Sequence, residues 1–248
     1  LQEVSFAWSD KLKIFFLENN FSTYEHNYGY WGNDYMGVMI AWNNKDFKAL
    51  ELQKNTVADS LYIKIPENTS YKTYYYYKST EWIKYFGSNI TNFINKNIVR
   101  YEDNYFKKIQ TSSDIKIAYS RKNVLLNVRL KDNNNRQFNV STYHMPCLFD
   151  NLYVMNKHMN TCLKIINLFS KKNFGIPFIF GGDFNSQPNS EVYKILSDKI
   201  TSINKDDEPD TVYSYHKMFG EFKGCIDYIF HSKGFDKIKR YEYEKIDN

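Results

Sequence analysis

The chain has 248 residues, 42% of them hydrophobic and 18% aromatic, enough apolar side chain for a sizeable core and enough to exclude the disordered and fibrous classes. Its formal charge of +5 favours a polyanionic partner without establishing one. No apolar run reaches the roughly eighteen residues that span a bilayer, and the three cysteines, Cys147, Cys162 and Cys225, lack the spacing of a disulfide framework or a zinc site.

The opening residues, Leu1-Gln2-Glu3-Val4, read as the middle of a structured element, so the chain is expected to be clipped at its start. Residues 37–42 (GVMIAW) are rich in strand formers and precede the polar turn Asn43-Asn44-Lys45, which predicts a buried strand. Residues 71–105 carry the run Tyr74 to Tyr77 and little periodicity. They read as a surface insertion or, alternatively, as an aromatic platform on which bases could stack.

Residues 123–130 (NVLLNVRL) and 137–143 (QFNVSTY) flank the polar stretch 131–136, the pattern of a β-hairpin. Met155, Met159, Cys162, Ile166 and Phe169 recur at helical spacing and predict a helix over 153–169 that covers a sheet. Residues 176–180 (IPFIF) form a continuous apolar run ending at Gly181-Gly182, as in a strand buried on both faces. A helix is expected over 190–196 and a strand over 225–230 (CIDYIF). Strands interleaved with helices and no Pro-, Gly- or Ser-rich linker predict one α/β domain.

The chemistry concentrates in 178–188, FIFGGDFNSQP. A buried strand there delivers Asp183 and Asn185 just past its end, where α/β sheets place catalytic groups. A carboxylate can orient or deprotonate water or hold a metal, while a neutral amide can donate to a phosphate oxygen without repelling it. An Asx turn capping the next helix is the plainer alternative.

This segment resembles the G-D-x-N signature of the endonuclease/exonuclease/phosphatase superfamily, particularly its deadenylase-like branch, which includes nocturnin, angel and the 2′,5′-phosphodiesterases. Three further matches follow in the required order. Leu1-Gln2-Glu3 resembles L-Q-E, whose Glu is a Mg²⁺ ligand, so the resemblance makes Glu3 the metal residue. Ser141-Thr142-Tyr143-His144 resembles the strand-end T-H and gives His144 a phosphate contact, although a strand-end His alone can be structural. Ile226-Asp227-Tyr228-Ile229 resembles I-D-Y-I, in which Asp227 orients a catalytic imidazole. Cys147 falls where some relatives carry Asn. The early Asn of the pattern would precede Leu1 and its terminal D-H would follow Asn248, so the catalytic domain, 1–248, is expected to be truncated at both ends.

The resemblance implies an α/β (α+β) fold of two packed mixed β-sheets flanked by helices, a four-layer sandwich. It implies in-line attack of water on a phosphodiester with Mg²⁺, or Mn²⁺ in its place. Asp183 would act on the water, His144 and Asn185 on phosphate oxygens, and Asp227 on the downstream imidazole. The expected partner is nucleic acid, RNA over DNA, cleaved in the manner of a 3′-5′ exoribonuclease by a monomer in a reducing intracellular compartment, cytoplasmic rather than nuclear, without membrane attachment. A phosphoinositide- or sphingomyelin-type phosphatase, a DNA endonuclease of the same superfamily and a catalytically dead nucleic-acid-binding protein stay open as alternatives.

Overall fold

The computed structural model describes residues 1–31, 34–61, 113–172, 175–204, 208–216 and 220–235. Contacts group the chain into two units, Leu1–Leu61 with Ile117–Asn248, and Tyr62–Lys116. Of the second unit only residues 113–116 are described, and they are helical; the aromatic run at 71–105 lies outside the described residues.

In the first unit, Ser5 caps α1 (Phe6–Glu18), its Oγ accepting from the Trp8 N–H at 3.4 Å. Strands β1 (Phe21–Trp31) and β2 (Asp34–Asn43) pair antiparallel, so the strand expected at 37–42 is the centre of a longer one. Next come β3 (Phe47–Thr56), β4 (Val124–Asp132), β5 (Gln137–Tyr143), α2 (Leu152–Lys171), β6 (Phe178–Asp183), α3 (Glu191–Ser197) and β7 (Thr201–Ser202). The antiparallel pair β8 (Val212–His216) and β9 (Gly220–Gly224) leads to β10 (Asp227–His231). Six strands form a mixed sheet in the order β3-β4-β5-β6-β10-β7, in which β5 and β6 run parallel.

The apolar run of β4 serves two layers, because successive side chains leave a strand on opposite faces. Val124, Leu126, Val128 and Leu130 pack on Tyr28, Val38, Ile40 and Trp42 of the β1–β2 hairpin. Leu125, in the other phase, joins Met155, Met159, Cys162 and Ile166 of α2. With α1 against the outer side of the hairpin and α3 beside α2, the layers run helix, hairpin, six-stranded sheet, helices. This is the expected α/β four-layer sandwich, its first sheet reduced to two strands among the described residues.

Two expected boundaries move. The strand placed at 176–180 starts at Phe178 and continues through both glycines to Asp183, so Asp183 closes the strand rather than following it. Its burial alternates instead of being complete on both faces, since Ile179, Gly181 and Asp183 are only half-buried. The strand expected at 225–230 begins at Asp227, directly opposite Asp183 in the antiparallel ladder. Among the described residues no helix is long and apolar enough to cross a membrane.

Candidate active site

Glu3 is presented by an irregularity in strand pairing. Leu1 exchanges both backbone hydrogen bonds with Met39, at 2.8 and 2.9 Å. An unbroken antiparallel ladder would next pair residue 3 with Gly37, yet it is the Val4 N–H that donates to the Gly37 carbonyl, at 3.0 Å. Glu3 is the extra residue, a bulge with φ 54°. A non-glycine residue there stores local strain, which native structures retain where a side chain must be re-aimed. Gln2 anchors the segment by donating to Thr142 Oγ1 at 2.8 Å. The bulge needs Gly37 opposite it, because a Cβ there would meet Asn27 Oδ1 at 2.5 Å and the Val4 carbonyl at 3.1 Å.

His144 follows the last residue of β5, its backbone carbonyl accepting from Asn123 Nδ2 at 2.9 Å. Its Nε2 lies 3.4 Å from Asp183 Oδ2 and 4.0 Å from Glu3 Oε1, and its Nδ1 is hydrogen-bonded to the hydroxyl of Tyr28. Asp183 divides its two oxygens: Oδ1 accepts from the Asn185 N–H at 2.8 Å, while Oδ2 faces His144. The Asx turn and the site geometry are therefore compatible readings of one carboxylate. Asn185 is buried, sits at φ 46° and donates one amide hydrogen to the Met145 carbonyl at 2.8 Å. One N–H of that amide is thus committed to protein, and among the described residues the other has no partner. Asp227 faces Asp183 across the ladder, its own N–H donating to Thr211 Oγ1 at 3.1 Å.

Four of the five sequence-derived residues, Glu3, His144, Asp183 and Asp227, are thus electrostatically coupled, and Asn185 braces Asp183. Burial, reinforced by Asp227 and Glu3 and opposed by the Asn185 N–H, pushes the Asp183 carboxyl up to about 7. Burial also pushes His144 down, against the pull of Glu3 and Asp227. Burial thus opposes charge on both partners of the 3.4 Å approach. The Cys147 thiol is exposed but raised by partial desolvation and by Asp183, which makes it a poor nucleophile.

Three carboxylates converging with no cation among their described contacts is the donor chemistry of a hard divalent ion. Among the described residues no group of three or more His, Cys, Asp or Glu side chains is placed to hold a metal ion. The open cluster built on the well-exposed Glu3 offers the oxygen donors that a hard divalent cation takes.

The raised carboxyl makes a stability prediction for protein in EDTA. Its pKa is about 7 when folded and about 3.9 when unfolded, so the folded state holds the extra proton between these values. Stability should therefore fall as pH rises through that window. Asp183→Asn should flatten this slope in thermal melts at a series of pH values, and an unchanged slope would refute the assignment.

Tyr28 was not found from sequence. It is one of 22 tyrosines in the chain, and nothing local marks the one that reaches His144, 116 residues away.

The model of the Endonuclease/Exonuclease/phosphatase family matches residues 1–245. No protein of curated function matches the sequence. Among solved structures, the human nocturnin catalytic domain with bound sulfate is similar at TM-score 0.55 and 13% identity, covering 91% of this chain and 66% of that one. ANGEL2, described as a 2′,3′-cyclic phosphatase and solved with adenosine-2′,3′-vanadate, gives 0.56 and 12%, covering 94% and 69%. A mannosyl-6-phosphatase from Bacteroides thetaiotaomicron gives 0.54 and 11%, covering 94% and 69%. This chain spans just under two thirds of the nocturnin domain's length.

Proposed function

From the premise that this chain belongs to the endonuclease/exonuclease/phosphatase family, whose members hydrolyse phosphoester bonds, we propose that it is a Mg²⁺-dependent phosphodiesterase acting on RNA. The observation that carries the reading is the convergence of Glu3, His144 and Asp183, from three segments far apart in sequence, on one end of the sandwich.

A bound divalent ion, held by Glu3 and the Asp183 end of the site, would supply charge neutralisation for the phosphate. Asp183 orients and deprotonates the attacking water through Oδ2, its Oδ1 being held by the Asn185 N–H. His144, neutral, donates from Nε2 to a phosphate oxygen. Asn185 uses one amide hydrogen to fix the Met145 loop and has one left for the phosphate. Asp227 is assigned the orienting of an imidazole. The +5 charge and the deadenylase-like motif at 181–196 support RNA, in a reducing compartment that leaves Cys147, Cys162 and Cys225 as thiols.

A second reading is a phosphatase of small phosphate esters, favoured by the equal fold likeness to the mannosyl-6-phosphatase. Labelled poly(A), mixed-sequence RNA, single- and double-stranded DNA, mannose 6-phosphate and phosphoinositides, assayed in parallel with Mg²⁺, separate the two. RNA should be cleaved, EDTA should silence the reaction, and Glu3→Gln should raise the Mg²⁺ requirement about 10- to 100-fold. Turnover confined to sugar or lipid phosphates would overturn the substrate; full activity in EDTA would overturn the mechanism.

A further inference from the structure

The hairpin sheet is tied to the reacting end of the molecule by Tyr28. This residue lies on the inner face of β1, nearly buried in the cluster with Val38, Ile40, Val124 and Leu126. Its ring meets the imidazole of His144 edge-on, with centroids 5.9 Å apart and planes at 78°, and its hydroxyl is hydrogen-bonded to Nδ1. Neither the hydrophobic cluster nor the sheet pairing requires that hydroxyl, since a Phe ring would pack as well.

We propose that Tyr28 is the positioning residue of His144: its hydroxyl donates to Nδ1, which leaves Nε2 carrying the ring proton and aims that N–H at the Glu3 and Asp183 end of the site. Which nitrogen holds the hydrogen is set by what each one faces. With Asp183 ionised, Nε2 faces two carboxylates, at 3.4 and 4.0 Å, where a lone pair would be repelled and an N–H is welcome. Nδ1 must then accept, and its partner Tyr28 is the group able to donate. The phenol stays protonated because burial, with Glu3 and Asp183 adding, pushes its ionisation far up. A neutral ring so held can give a hydrogen bond to a phosphate oxygen without first taking up a proton.

A second buried pair shows the same logic with its outcome fixed by the backbone. His158 Nε2 lies 2.9 Å from the Ala118 carbonyl, which can only accept, so Nδ1 must accept from the Tyr143 hydroxyl at 2.8 Å. Tyr143 and His144 are adjacent on one strand end and point to opposite faces, so one Tyr–His pair braces the α2 layer and the other serves the site.

The proposal rests on the phosphoesterase reading for its consequence, while the hydrogen bond itself can be tested without activity. Long-range nitrogen–proton spectra of the ring carbons in metal-free protein, above the pKa of Asp183 and with His144→Gln for assignment, report both nitrogens. Wild type should show Nε2 protonated and Nδ1 as a hydrogen-bonded acceptor; in Tyr28→Phe the Nδ1 signal should move toward that of a free lone pair, while Tyr143→Phe leaves it in place. A protonated Nδ1 in wild type, or an unmoved one in Tyr28→Phe, overturns the proposal. On the substrate the wild type hydrolyses, Tyr28→Phe should lower kcat about 10- to 100-fold with KM unchanged, the range for losing an orienting partner. In a His144→Gln background it should cost nothing further. An equal additional loss there would mean that Tyr28 acts only through general packing and would overturn the positioning role.

Discussion

Asp183→Asn is expected to lower kcat by about 10²- to 10⁴-fold, the worth of a positioned base, while the protein stays folded. The asparagine side chain can still accept from the Asn185 N–H, the 2.8 Å bond that closes the turn. What changes is the other oxygen. An amide nitrogen there cannot take a proton from water, and it presents a donor to His144 Nε2 where Asp183 Oδ2 now stands 3.4 Å away. The check is single-turnover kinetics on the best substrate of the panel, together with a thermal melt in EDTA. Near-wild-type kcat would reduce Asp183 to a turn residue. A collapsed melting temperature would mean that the lost activity reports folding, because removing a crowded buried carboxylate should not itself destabilise the metal-free protein.

The largest effect on stability is expected at Gly182. A Cβ there would lie 1.9 Å from the Tyr143 carbonyl oxygen and 3.0 Å from its carbon, backbone atoms that cannot rotate away. Gly182→Ala must force β6 away from the end of β5, and overpacking of this kind costs about 3 kcal/mol or more when the neighbour is rigid. The same displacement separates Asp183 from His144, so activity should disappear with stability. Gly181 is the control: a Cβ at that position meets nothing nearer than the Tyr228 carbonyl at 3.4 Å. Since alanine also restrains the unfolded strand, Gly181→Ala should change stability by less than about 1 kcal/mol. Urea unfolding of the two variants decides the matter, and equal stabilities would show that the strands can part without cost.

The local half of this molecule was legible from residue order, for a physical reason. Hydrophobic periodicity records how a segment meets its immediate surroundings, so the hairpin of β4 and β5, the amphipathic α2 and the Ser190-capped α3 could all be read from it. Where burial does not follow a clean period the reading gave out. In α1, Phe6, Ile14, Phe15 and Leu17 are exposed while Ser9 is buried with its hydroxyl on Glu25. In β3, Leu50 and Leu52 alternate outward with Lys48 and Lys54. Neither pattern announces its element.

The motifs G-D-F-N, L-Q-E, T-Y-H and I-D-Y-I likewise carried the family and the five residues Glu3, His144, Asp183, Asn185 and Asp227 on the sequence itself. What they do to one another was decided by tertiary structure alone. Burial between the strand ends, with Asp227 set opposite by the register adding to it, pushes the Asp183 carboxyl up to about 7, and the one-residue bulge aims Glu3. The packing of β1 on β4 brings the Tyr28 hydroxyl to His144 from 116 residues away. Each of these depends on contacts between segments that share no local pattern, and the interaction energies that tune a site fall off over a few ångströms of space rather than along the chain.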